Sequence, residues 1–188
     1  YMKIIENGMI TDVKGIKATG ISAKLKKSGK KDMALIYSEE KAVSAAVFTK
    51  NLAKAAPIIL DIKHINNENT QAIVVNSGNA NSCTGDTGLA NARKMTELVA
   101  DKLGLKAEEV LVQSTGIIGV QLDMKKIENG IEKVVENLSE DGGIDAATAI
   151  MTTDTFVKQI CLEIEIAGKK AKVAGMCKGS GMIHPNMA

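Results

Sequence analysis

Three polar, glycine-punctuated segments follow apolar runs: Asn76-Ser77-Gly78-Asn79-Ala80-Asn81-Ser82-Cys83-Thr84-Gly85, Ser114-Thr115-Gly116, and Thr152-Thr153-Asp154-Thr155. Lys178-Gly179-Ser180-Gly181 is a fourth, close to the final residue, Ala188. Hydroxyls, amides and an ammonium are therefore the groups with which this chain could do chemistry, because histidine and paired cysteine are scarce. Two histidines occur, His64 and His184, too few for a histidine-rich metal site or an internal triad. Cys83, Cys161 and Cys177 form no CxxC pair, which argues against a zinc site or disulfide framework and for a reducing compartment. No phosphate-loop pattern is present, and His184 stands where a dinucleotide fingerprint needs its third glycine after Gly179 and Gly181. Singly, each segment has a plain structural explanation. Asn and Gly form turns, Thr152 to Asp154 suits a helix cap or strand end, Thr115-Gly116 a tight turn, and Lys178 a solvated hairpin end. By the same reasoning Cys83 and Cys177 are small core hydrophobes and His184 a loop residue.

The elements that must position these groups can be read from apolar spacing. Ile16 to Ala23, Met33 to Tyr37 and Val43 to Phe48 are short apolar runs separated by turn formers and a Lys-rich stretch, which predicts strands. Ala72-Ile73-Val74-Val75 is too short for a helix and predicts a buried strand running into the Asn-rich loop. Leu89, Ala92, Met95, Val99 and Leu103 share one helical face, with Asp86 or Thr87 as cap and Gly104 as terminator. Val110 to Gln113 predicts a strand delivering Ser114-Thr115-Gly116. Ile127, Ile131, Val134, Val135 and Leu138 give residues 124–138 an amphipathic helix laid on a sheet. Alternation from Phe156 to Ile166, a turn at Ala167-Gly168-Lys169 and a return through Cys177 predict a β-hairpin. Strands and helices that do not alternate strictly point to a layered α/β fold: an α+β sandwich of mixed sheets with flanking helices, in one domain.

Composition bounds the rest. The 188 residues suit one domain, and 45% hydrophobic content with 2% aromatic requires a core of aliphatics and methionine. Net charge is +2, Arg93 is the only arginine, and no basic stripe interleaves with aromatics, so nucleic-acid binding has little support. The absence of an apolar stretch near 18 residues or a leader with a cleavage site predicts neither a membrane span nor secretion.

In order along the chain, Asn76-Ser77-Gly78-Asn79-Ala80-Asn81, Ser114-Thr115-Gly116-Ile117-Ile118-Gly119, Met151-Thr152-Thr153-Asp154 and Lys178-Gly179-Ser180-Gly181-Met182-Ile183, closing at Met187-Ala188, carry a resemblance. They resemble the α chain of ornithine acetyltransferase, the glutamate N-acetyltransferase of arginine biosynthesis, over essentially the whole of residues 1–188. The resemblance implies a precursor that cleaves itself after Ala188, leaving an α and a β chain, with the following residue, a threonine, as nucleophile. That role is physically sound: an N-terminal threonine carries its hydroxyl beside an α-amine of pKa about 7.7–8.0, a general base that needs no histidine. It also implies Thr115 and Gly116 as the oxyanion hole, and Thr152 (with Thr153 able to exchange roles with it) and Lys178 as substrate contacts. A hydroxyl and a glycine N–H approach a small oxyanion closely, and an ammonium suits a substrate carboxylate.

The expected activity is an acyltransferase, active only with the β chain, that moves acetyl from N-acetylornithine to glutamate through an acetyl-enzyme. It requires no cofactor and no metal, and whether acetyl-CoA is also a donor stays open. A domain completed by the second chain and a dimer of αβ units follow from the same resemblance, and the unpaired cysteines predict a cytoplasmic setting. Two other readings stand beside it: a self-processing N-terminal-nucleophile aminopeptidase, and a non-enzymatic small-molecule binding domain. The Gly-rich, apolar end at Ala188 speaks against the non-enzymatic reading, because it reads as the middle of a fold rather than a tail.

Overall fold

The computed structural model describes residues 2–67, 69–180 and 186–187. Four strands form the central sheet: β2 (Ile16–Ile21), β3 (Met33–Ala42), β4 (Thr70–Asn79) and β5 (Val110–Ile117), in that spatial order. The first three are antiparallel, whereas β4 and β5 are parallel. A parallel pair needs a long crossover, and α2 (Gly85–Leu103) supplies it. Both strands therefore end on the same side, which is why the Asn-rich loop and Ser114-Thr115-Gly116 lie together. A second, antiparallel sheet has the order β1 (Met2–Ile5), β6 (Lys158–Ile166) and β7 (Lys169–Cys177).

Strand alternation divides the core between the faces of the central sheet. Met33, Leu35, Val74, Val110 and Val112 pack with α1 (Ala56–His64), α2 and α3 (Met124–Glu136) through Leu60, Met95, Val99, Ile127, Ile131 and Val134. On the other face Ala18, Ala34, Ile36 and Val75 pack with Ala146 and Ala149 of α4 (Gly143–Ala149), Ile150 and the partly buried Met176. The layered mixed α/β fold expected from the sequence is thus the one adopted, and Met33 and Met95 are wholly buried in its largely aliphatic core. The small sheet turns Met2, Ile4, Ile160, Ile166 and Val173 outward, all of them largely exposed.

Helix α2 buries the predicted face and ends at Gly104, whose left-handed φ of 69° favours glycine. Its cap differs from expectation. Thr84 occupies the position in place of Asp86 or Thr87, and its hydroxyl donates to Asn81 Oδ1 (2.8 Å). The predicted strand from Val43 to Phe48 does not form; these residues are irregular, and Val43 and Val47 are largely exposed. The predicted hairpin is β6 and β7, joined at Ala167 and Gly168, both with positive φ as a tight two-residue turn requires. Cys161, not Cys83 or Cys177, is the buried cysteine: the latter two occupy a left-handed loop position and a strand end, and both are exposed.

Candidate functional site

Thr115 and Gly116 lie at the end of β5, an edge strand whose outer side meets α1. Two buried side chains of that helix satisfy the edge. Asp61 Oδ1 accepts from Val112 N–H (3.0 Å), and His64 Nδ1 lies 2.8 Å from Val110 O, so that nitrogen carries the proton because a carbonyl only accepts. Burial pushes the Asp61 carboxyl up to about 7, partly offset by the Val112 N–H. Gly116 lies beyond these caps, where the β4–β5 ladder loses its regular register.

On the inner side, Thr115 pairs with Ser77 and Gly116 with Gly78. Gly116 has φ of 133°, and a Cβ there would lie 2.6 Å from Asn79 N and from Gly78 O. Only glycine fits such an approach without a backbone shift. Asn76 to Asn79 and Ser114 to Gly116, expected as loops after their strands, belong to β4 and β5 themselves, and the asparagines stitch the strand ends together. Asn76, wholly buried, donates through Nδ2 to Asn79 O (2.9 Å) and accepts from Ser114 Oγ at Oδ1 (2.6 Å). Asn79 Nδ2 donates to Val120 O (2.9 Å), and the buried Asn81 Nδ2 to Gly88 O (2.9 Å). Among the described residues nothing hydrogen-bonds the half-buried Thr115 hydroxyl.

Thr152 and Gly179, the residue after Lys178, meet through a carboxylate that the sequence alone places only in a cap or strand end. Asp154 Oδ1 accepts from Lys158 Nζ (2.8 Å) and Gly179 N–H (2.6 Å), and Oδ2 accepts from Thr152 N–H (3.2 Å). The Lys158 ammonium first, then the Gly179 and Thr152 N–H groups, hold this carboxyl well below the usual range. Thr152 and Thr153 are both exposed, and Thr152 is the one whose backbone is fixed. Lys178, half-buried directly after β7, donates from Nζ to Gly179 O (2.5 Å).

The strand-end pair and this turn are joined by Ser77, whose hydroxyl donates to Ala149 O at the end of α4 (2.5 Å). They are joined again by Lys26, which the sequence presents as one of several turn lysines. Its ammonium donates to Met151 O (2.6 Å) and Lys31 O (2.9 Å). Gly181, Met182, Ile183, His184 and the expected cleavage position, Ala188, lie outside the described residues. No group of three or more His, Cys, Asp or Glu placed to hold a metal ion occurs among the described residues, and no described helix is long and apolar enough to cross a membrane.

A layered α/β scaffold thus carries a hydroxyl and a glycine at a parallel strand end and a carboxylate-braced lysine segment linked to it through Lys26, groups whose chemistry can hold anionic or oxyanionic atoms. The chain belongs to the ArgJ family, which matches residues 17–188. It is 52% identical over 187 residues to the arginine biosynthesis bifunctional protein ArgJ of Caldanaerobacter subterraneus subsp. tengcongensis, covering 100% of this chain and 46% of that protein. ArgJ 1 of Clostridium acetobutylicum is 50% identical over the same length and share. The chain thus spans about half the length of the curated relatives it matches. Among solved structures, ArgJ of Bacillus halodurans has a TM-score of 0.93 at 40% identity, covering 100% of this chain and 98% of that chain. Ornithine acetyltransferase of Mycobacterium tuberculosis, complexed with ornithine, has a TM-score of 0.95 at 37% identity, covering 100% of both chains.

Proposed function

We propose that this chain is the N-terminal, α part of a glutamate N-acetyltransferase that takes acetyl from N-acetylornithine and passes it to glutamate. The observation that carries the reading is the strand end at Thr115 and Gly116, with a hydroxyl left without a described partner beside a glycine pressed against the Gly78–Asn79 backbone, in a member of the ArgJ family. The ornithine complex of the mycobacterial relative, similar over the full length of this chain, supports the choice of substrate.

In this reading a threonine following Ala188 is the nucleophile. Its hydroxyl attacks the acetyl carbonyl while its proton passes to the threonine's own α-amine. The carbonyl oxygen becomes an oxyanion held by the Thr115 hydroxyl and Gly116 N–H, each worth about 2.7–4 kcal/mol in comparable sites. Collapse breaks the amide C–N bond, and ornithine leaves with the proton. The glutamate amine then attacks the acetyl ester and regenerates the hydroxyl. Lys178 holds a substrate carboxylate and Thr152 orients the chain beside it. No metal or cofactor takes part. The name bifunctional protein carried by relatives supports testing acetyl-CoA as a second donor.

The exposed apolar face formed by Met2, Ile4, Ile160, Ile166 and Val173 supports a partner layer, which we assign to a β chain of the same precursor, in a cytoplasmic dimer of αβ units. Full-length protein assayed with N-acetylornithine and glutamate is expected to release ornithine and N-acetylglutamate stoichiometrically, and to yield a fragment beginning with threonine. Hydrolysis of N-terminal peptides without transfer to glutamate would instead establish the aminopeptidase reading.

A further inference from the structure

Lys26 occupies a place in this site that its sequence context does not announce. The loop that carries it, residues 22–32, is wound around the wholly buried Asp32, whose carboxylate accepts from the N–H groups of Ala23 (2.6 Å), Leu25 (2.7 Å) and Lys26 (2.8 Å). The Asp32 carbonyl accepts from Ser77 N–H (2.8 Å), tying the loop to β4 immediately before Gly78. The Lys26 stem passes over Gly78, where a Cβ would lie 3.2 Å from Lys26 Cγ. The half-buried ammonium then ends on the carbonyl of Met151, the residue before Thr152. No carboxylate forms an ion pair with it among the described residues, and Asp32 and Asp154 act on it only at longer range. Burial accordingly pulls the ammonium below the ordinary lysine range. A cation desolvated in this way for two carbonyl bonds is an expensive means of holding a surface loop. It is an effective means of holding one turn at a fixed height above the strand end.

We propose that Lys26 is a positioning residue for the substrate-side turn: through Met151 O it sets the location of Thr152 and Asp154 relative to Gly78 and Gly116. The inference rests on the acetyltransferase reading for its kinetic consequence but not for its structural one. Lys26 touches neither reacting atoms nor substrate; it acts through Met151. A turn displaced by about 1 Å can cost on the order of 10²-fold in activity. Because the displaced residues are those assigned to binding, the loss falls on KM.

The test uses the full-length protein with Lys26→Met, which keeps the stem over Gly78 and removes the ammonium. KM for N-acetylornithine is expected to rise about tenfold or more, with kcat changed less than about threefold. Its crystal structure is expected to show the Met151-to-Asp154 turn shifted while β4 and β5 stay in place. Should Lys26→Met fold poorly, Lys26→Cys treated with 2-bromoethylamine restores an ammonium at the same reach, with wild-type protein treated identically as control for Cys83 and Cys177. Recovery of KM on aminoethylation supports the assignment. An unmoved turn with KM within twofold of wild type overturns it, as does a Cys variant that aminoethylation leaves unchanged. If wild-type protein transfers no acetyl group, the functional reading fails alone, and the position of the turn in the two crystal structures still decides the role of Lys26.

Discussion

The strand end and the substrate-side turn hold their functional groups by different means. Thr115 and Gly116 are fixed by the β4–β5 ladder and by the close approach of Gly116 to Gly78 and Asn79. Thr152 and Lys178 are fixed by side chains, chiefly one carboxylate and one ammonium, Asp154 and Lys26. A ladder built from backbone is intolerant of added atoms. A turn built on charges tolerates small substitutions and responds to the loss of a single ion. The difference suits the roles assigned to them, since an oxyanion hole must be in place before charge develops, whereas a substrate contact can adjust as it binds.

Substitutions at the strand end give the largest effects. Gly116→Ala forces a Cβ into the Gly78–Asn79 backbone at a left-handed φ. It should abolish measurable acetyl transfer, a fall of at least about 10³-fold, with on the order of 1–3 kcal/mol of strain visible as a lowered Tm. Thr115→Ala removes one donor without disturbing the ladder, and kcat should fall about 10²–10³-fold with Tm unchanged.

Smaller effects belong to the turn and the edge helix. Asp154→Asn keeps the shape but loses the charge that holds Lys158 and Gly179. KM should rise about tenfold, and steady-state assays between pH 5 and 8 should show the wild-type turn intact throughout. The sign follows from a folded carboxyl held below the ordinary value of about 3.9: its contribution is present above that pH and is lost only as pH falls toward the folded value. Asp61 has the opposite sign. Its carboxyl is raised to about 7, so its stabilising contribution is full below pH ~4 and is lost as pH rises through 7. Asp61→Asn retains an acceptor for Val112 N–H without the buried charge. A Tm higher by about 4 °C at pH 8, with little change at pH ~4, is expected from thermal melts.

These two regions were unequally legible in sequence. Ala72 to Val75, the α2 and α3 stripes and the 158–177 hairpin follow from apolar spacing, and Thr115-Gly116 sits where its strand ends. Helix α1 escaped because its buried face includes Asp61 and His64, polar groups that break the apolar period in order to cap an edge strand. Helix α4 is seven residues long and rich in Ala, too short for a periodic signal. Strand β1 is four residues long, with three of them exposed. Lys26 and Asp32 lie in a stretch whose lysines read as a solvated turn, and nothing in spacing distinguishes the one ammonium that reaches Met151. Long-range contacts of single side chains leave no local pattern, and the turn is assembled largely from such contacts.

The division between the two regions is tested most directly by measuring kcat and KM for N-acetylornithine side by side in full-length Thr115→Ala and Asp154→Asn. Thr115→Ala is expected to lower kcat by about 10²–10³-fold at nearly constant KM, and Asp154→Asn to raise KM about tenfold at nearly constant kcat. Equal falls in kcat for both variants, or full turnover by Thr115→Ala, would contradict that division.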